Sequence, residues 1–369
     1  MINTSTTTTN SGPRRRIAAA LAAFIAAGTV TLGAGQVHAA AAAYEPHLDV
    51  AASSFDISGQ RVSLPAAIVA GETYIGVRSL NDQLGIRTVW NSKTHQAELT
   101  GRGRTMQLSQ SDGYLLNGSK TYASPVYIQS GTTFVPLRFV LQSFGYAIGY
   151  DAPTKTVTIN PIAENAWSWH SESITYKADK QTLSVSYPVF TGLGNAEAQN
   201  KINAKLKADA ERYAASGREA LKKAAKENAD LEKNSPDVKI PPIEYDGQYT
   251  ITYNEQGKLS LYFDYYVYTG GAHGGIERVP YTFDLDTGNI LTLKQAALGN
   301  DKYVSIINEA ILKQIKQQKL ELLVPFKSIE PDRPFYLKHG AIAIYFSQYE
   351  YTPYAAGMPE FSIPFGAFR

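Results

Sequence analysis

The sequence predicts an α+β protein: a small two-repeat α+β stalk-like domain, then a module of antiparallel strands packed with two main helices. Three observations carry this reading. Residues 71–100 and 131–160 align without a gap at an offset of 60. The second half holds runs of alternating apolar and polar residues separated by tight-turn sequences, the mark of half-buried strands. Two stretches, from Asn195 and from about Leu298, instead carry apolar residues at helical spacing.

At the N-terminus, Arg14-Arg-Arg16 precedes an apolar run from Ile17 to about Ala34, and Val37-His38-Ala39 forms a small-residue cleavage pattern. Residues 1–39 are therefore expected to be a signal peptide, with an uncleaved membrane anchor as the alternative, and residues 40–55 a linker. Removing 1–39 takes away three arginines and no acid. It leaves 32 basic and 33 acidic residues, so the formal charge of +2 becomes −1. The basic balance belongs to the signal, and no nucleic-acid partner is expected. The chain has no cysteine, which excludes a disulfide scaffold, a cysteine–zinc site and a thiol nucleophile. An exported, cysteine-free chain of this kind fits a Gram-positive surface or the medium, secreted or cell-wall associated.

Within the repeat, Gly71-Glu-Thr-Tyr-Ile-Gly-Val-Arg78 matches Gly131-Thr-Thr-Phe-Val-Pro-Leu-Arg138, and Trp90 matches Tyr150. Each copy reads as a strand, a short helix after the arginine, a glycine stop and a hairpin. Thr105–Leu108 and Tyr114–Leu116 add two strands across a Ser-Asp-Gly turn. Over about 56–160 the repeat resembles the copper amine oxidase N-terminal-like domain, a small module common on bacterial surface proteins. The resemblance implies a fold and no chemistry, since copper in those oxidases belongs to a different domain. His95 alone cannot assemble a site of several imidazoles. Arg78 and Arg138 read as helix-start residues satisfied by nearby carbonyls, with ligand binding as the alternative.

Residues 161–172 are expected to be a linker, in which Trp167 and Trp169 form an inter-domain wedge or a glycan platform. A first subdomain is expected over 173–268. It opens with strands to Phe190, and then Asn195 caps a long helix with Ile202, Leu206, Ala210 and Tyr213 on one face. Tyr245–Tyr253 and Lys258–Tyr268 form a hairpin across Asn254–Gly257. The second subdomain, 269–369, opens with a glycine cluster around His273. It continues with a strand to Leu285, a helix over about 298–318, and strands at 335–337, 341–346 and within 354–364.

Tyr268-Thr-Gly-Gly-Ala-His-Gly274, Tyr281-Thr-Phe-Asp-Leu-Asp-Thr-Gly288 and the segment 349–361 together carry a second resemblance. Over about 173–366 the chain is similar to the ectodomain of lysozyme-sensing anti-sigma factors, a pair of subdomains also found beside peptidoglycan deacetylase domains. The resemblance implies recognition, of lysozyme in the sensors. The 13 residues before Arg14 are too few for a sigma-binding domain, and no acid and histidine series fits an attached deacetylase.

The candidate ligand-binding residues are Tyr266, Tyr268, Gly270, Gly271, His273, Tyr349, Glu350, Tyr354 and Glu360. Tyrosines supply the rigid amphipathic area that interfaces favour, and the two glutamates would attract a basic partner. Tyr266 and Tyr268 share one side of their strand, and Tyr265 and Val267 face the other. The histidines lack metal spacing, so no metal, cofactor or catalytic residue is expected. Asp284–Gly288 reads as a hairpin turn rather than a calcium loop. The expected function is an exported, non-enzymatic protein that binds a protein ligand such as lysozyme, or peptidoglycan. The alternatives are a peptidoglycan-acting enzyme with His273 as base, oriented by Asp264 or Glu277, and a purely structural envelope protein.

Overall fold

The computed structural model describes residues 47–109, 113–121 and 123–369. The expected signal peptide, and residues 40–46 of the expected linker, lie outside them.

In the first module, β1 (Ala51–Ile57), β2 (Gln60–Val69) and β3 (Glu72–Gly76) lead into helix α1 (Val77–Leu84). The hairpin β4 (Arg87–Asn91) and β5 (Gln96–Gly101) follows, then β6 (Arg104–Ser109), β7 (Gly113–Leu116) and β8 (Ser119–Thr121). The second repeat supplies β9 (Tyr127–Gln129), β10 (Thr132–Pro136), α2 (Leu137–Ser143), β11 (Tyr146–Asp151) and β12 (Thr156–Pro161). The repeats meet at their equivalent strands: β3 and β10 are antiparallel with Ile75 opposite Val135, residues 60 apart. The pair therefore sits on a local two-fold axis. Beyond it the symmetry breaks. Hairpin β11–β12 joins β1 in a seven-stranded sheet, whereas β4–β5 starts a separate five-stranded one. Each helix begins at the residue before its arginine. Arg138 Nη1 donates to Ile148 O at 3.1 Å.

Three boundaries differ from the sequence reading. Strand β1 occupies part of the expected linker 40–55, and Leu48 is buried, with its backbone held at both ends by the Gln129 amide. The small residues Ala51–Ser54 carry no alternation that would announce a strand. Strand β13 (Ser168–Ala178) shortens the linker 161–172 from its far end. The division at 268/269 cuts a five-stranded sheet, because β14 (Gln181–Thr191), β15 (Ile243–Glu255), β16 (Lys258–Tyr268) and β17 (Gly275–Asp284) extend β13 in order.

Helix α3 (Ala196–Asn234) covers one face of that sheet. Asn195 caps it as expected, its side chain accepting from Glu197 N and Ala198 N. Leu206, Ala210 and Leu221 pack on Val185, Tyr245, Phe263 and Tyr265. Where α3 crosses β15 it carries Gly217, whose added Cβ would lie 2.6–2.8 Å from Tyr245 ring atoms. Gly→Ala inside a helix ordinarily stabilises by ~1 kcal/mol. Here Tyr245 is locked in the core, so overpacking outweighs that gain, and Gly217→Ala is expected to lose roughly 1–3 kcal/mol. Urea denaturation measures it, and a more stable variant would refute this close approach.

The last part holds a short helix α4 (Leu293–Ala296), helix α5 (Tyr303–Gln318), and a sheet of β18 (Phe335–Lys338), β19 (Ala341–Tyr345) and β20 (Glu360–Pro364). The helix expected from 298 starts later because Leu298 and Gly299 both have positive φ, and Asn300 then accepts from Lys302 N.

Residues 47–369 form one compact unit, so the first module is packed against the second rather than strung from it as a stalk. Ser119 Oγ donates to Gln248 Oε1 at 3.1 Å, Ser171 Oγ donates to Asn117 O at 2.7 Å, and Arg104 forks onto Glu164. Trp167 packs on Phe190, and Trp169 lies under the Arg104 guanidinium. That position is the wedge of the sequence reading.

Candidate functional site: an aromatic patch around His273

Strand β16 sorts its tyrosines by parity. Leu261, Phe263 and Tyr265 are buried beneath α3, where Tyr265 stacks on Tyr213 at 4.0 Å between ring centroids. Tyr262, Asp264, Tyr266 and Tyr268 face the other way. Tyr262 is covered by β18 through Tyr336, while Tyr266 and Tyr268 lie toward the loop end, half-buried. Burial raises the Tyr266 pKa, and nearby Glu244, Tyr354 and Tyr268 add to it.

The loop Thr269–Gly274 is held from below. Asn228 Nδ2 of α3 donates to Thr269 O at 2.9 Å. Gly270 has φ +98°, and an added Cβ would lie 2.5 Å from Ile240 Cγ2, so only glycine fits there. Gly271 lies exposed over open space. His273 stands exposed at the top, stacked on Tyr354 with ring centroids 4.0 Å apart and planes at 25°. Its Nδ1 is 3.0 Å from Gly274 O, which can only accept, so Nδ1 carries the proton. Nε2 then accepts from Tyr349 Oη at 3.3 Å.

Tyr349 is 44% exposed with φ +62°, a conformation uncommon for a bulky residue and one that often marks functional segments. Gln348 Oε1 accepts from Ile276 N at 2.9 Å, fastening the 347–354 segment to β17. Pro353 introduces the short 3-10 turn Tyr354–Ala356. The two sequence-distant motifs thus meet in one patch of His273, Tyr349 and Tyr354, with Tyr266 beside Tyr354.

Glu350 and Glu360 have other employment. Glu350 takes a two-pronged contact from buried Arg333, which also donates to Tyr345 O. Glu360 accepts from Lys338 Nζ at 2.7 Å and from the Tyr336 hydroxyl. Their charges are spent internally, contrary to the expectation that they attract a basic partner. Asp264 binds Arg278 at 2.6 and 2.7 Å, and Glu277 accepts from Tyr213 Oη at 3.2 Å. Neither orients His273. Asp284 Oδ1 accepts from Thr287 N and Oγ1, the bonding of a turn. Sequence reasoning missed Gln348 and Arg333, which position the patch. Neither sits in a recognisable motif.

Among the described residues no group of three or more His, Cys, Asp or Glu side chains gathers as a metal site. No described helix is long and apolar enough to cross a membrane. Three family models match separate segments: the copper amine oxidase N-terminal domain over residues 56–159, "Deacetylase PdaC" over 174–275, and a protein family of unknown function, DUF3298, over 296–366. They agree with the two resemblances in order and extent. The anti-sigma-V factor RsiV of Bacillus subtilis is 28% identical over 251 residues, covering 58% of this chain and 77% of that protein. Crystal structures of DUF3298 proteins from Bacteroides fragilis and Pseudomonas aeruginosa align at 19% and 16% identity with TM-scores of 0.39 and 0.37. Each alignment covers 55% of this chain and 93% of theirs.

Proposed function

We propose that this chain is an exported, non-enzymatic binding protein that recognises a protein or cell-wall ligand through the His273–Tyr349–Tyr354 patch. A lysozyme-like muramidase is the most concrete partner, given the similarity to an anti-sigma factor over most of that factor's length. The observation that carries the reading is the exposed His273 ring, stacked on Tyr354 and bonded to Tyr349. Such rigid aromatic anchors lose little entropy on binding. The nitrogen that a general base would use, His273 Nε2, is instead taken up by the Tyr349 hydroxyl.

The test is binding of the purified chain to lysozyme by biolayer interferometry at two salt concentrations. Micromolar or tighter binding is expected, weakened about 30-fold by Tyr354→Ala, or ~2 kcal/mol. No binding at high micromolar lysozyme would sink the muramidase assignment. Unchanged affinity in the variant would sink the patch.

A further inference from the structure

The sheet face opposite α3 carries a pattern that extends beyond the patch. Strand register places Tyr266 opposite Asp246, and Asp246 opposite Ser184. The next row runs Tyr268, Glu244, Thr182. Directly opposed residues share a face, so both rows pass from an aromatic ring to a carboxylate to a hydroxyl across β16, β15 and β14.

The carboxylate and hydroxyl ends of these rows open into a groove of about 360 Å³ between the two modules, walled on the far side by Leu115, Gly118 and Lys120. That volume is within the range of about 300–1,000 Å³ usual for small-ligand sites. The groove is built before any ligand arrives. Gln248, 8% exposed, accepts from Ser119 of the first module and donates to Asp246 Oδ1 at 2.7 Å. Ser173 and Ser186 share a hydrogen bond of 3.0 Å beside it.

We propose that this face is a saccharide-binding track for a neutral or N-acetylated oligosaccharide. A sugar ring has an apolar C–H face that packs on an aromatic ring and a rim of hydroxyls that both donate and accept. Carboxylates are strong acceptors for those hydroxyls, and serine and threonine hydroxyls serve either role. Phosphate-bearing and other polyanionic ligands are disfavoured by Glu244 and Asp246. Three strands at about 4.8 Å spacing give a track of roughly 10 Å, the length of about two sugar rings. The proposal shares Tyr266 and Tyr268 with the recognition patch but does not require that patch to bind protein.

The experiment is saturation-transfer NMR of the full chain with tri-N-acetylchitotriose. Saturable transfer is expected in the wild type. Ser184→Leu, which fills the groove, and Glu244→Gln, an exposed change that leaves the core alone, should each weaken binding about tenfold. Lys313→Ala, an exposed change on α5, should leave it unchanged. Absence of transfer, or equal transfer in the wild type and Glu244→Gln, overturns the track. Loss on Tyr354→Ala alone also overturns it, by moving the sugar to the His273 patch. Because the ligand differs from lysozyme, failure of one reading is distinguishable from failure of the other.

Discussion

Arg278→Leu is expected to destabilise the protein by roughly 3–5 kcal/mol, the loss typical when one member of a buried ion pair is removed. The Arg278 side chain is 11% exposed and lies 3.8 Å above the Tyr262 ring, with Tyr336 and Tyr345 also around it. Burial works against its charge, but Asp264, Tyr262 and Tyr336 hold its pKa above the usual arginine value. The contact joins two sheets: Arg278 and Asp264 belong to β17 and β16, while Tyr336 and Tyr345 come from β18 and β19. Tyr345 Oη also donates to Arg278 O at 3.0 Å. Leucine would strand the Asp264 carboxylate and leave the three rings without their central partner. Asp264 keeps 28% of its exposure, so water moderates the penalty and the lower end of the range is expected. The double variant Arg278→Leu/Asp264→Leu should recover much of the loss, because no lone charge remains. Urea denaturation of the three proteins decides it. A single-variant loss below about 1 kcal/mol would place the pair with ordinary surface bridges.

What was legible in the sequence was whatever local spacing encodes. The 60-residue offset located two copies of one unit, and the structure pairs them at Ile75 and Val135. The Asn195 cap and the parity of Tyr265 against Tyr266 follow from backbone geometry over a few residues, and both appear as read. Strand β1 was illegible because Ala and Ser line it up to Phe55. The separation of hairpins β4–β5 and β11–β12 into different sheets was equally hidden, since the two read alike. Charges were the weakest guide. A glutamate in a tyrosine-rich segment reads the same whether it faces solvent or a buried arginine 17 residues upstream.

Glu350 makes that last point testable, because its two roles predict opposite measurements. If it contacted the ligand, Glu350→Ala would weaken binding and leave stability intact. The structure instead predicts a stability loss of roughly 3–5 kcal/mol, because Arg333 is left buried without its main counter-charge. Glu330 at 3.6 Å leaves Arg333 one weaker, exposed counter-charge, so the lower end of that range is expected, although the Arg333 Nε already lacks a hydrogen-bond partner. Glu350 Oε2 also accepts from Ser347 N at 2.8 Å, closing the turn that holds Tyr349 at positive φ. Loosening that turn withdraws Tyr349 Oη from His273, so lysozyme binding should weaken together with the melting temperature. The double variant Arg333→Met/Glu350→Gln separates cause from contact. No lone charge remains, and the glutamine Oε1 can still accept from Ser347 N, so much of the stability, the turn and the binding should return. Binding that stays lost in a stable double variant would mean that the carboxylate itself meets the ligand. Glu350 would then belong to the interface after all.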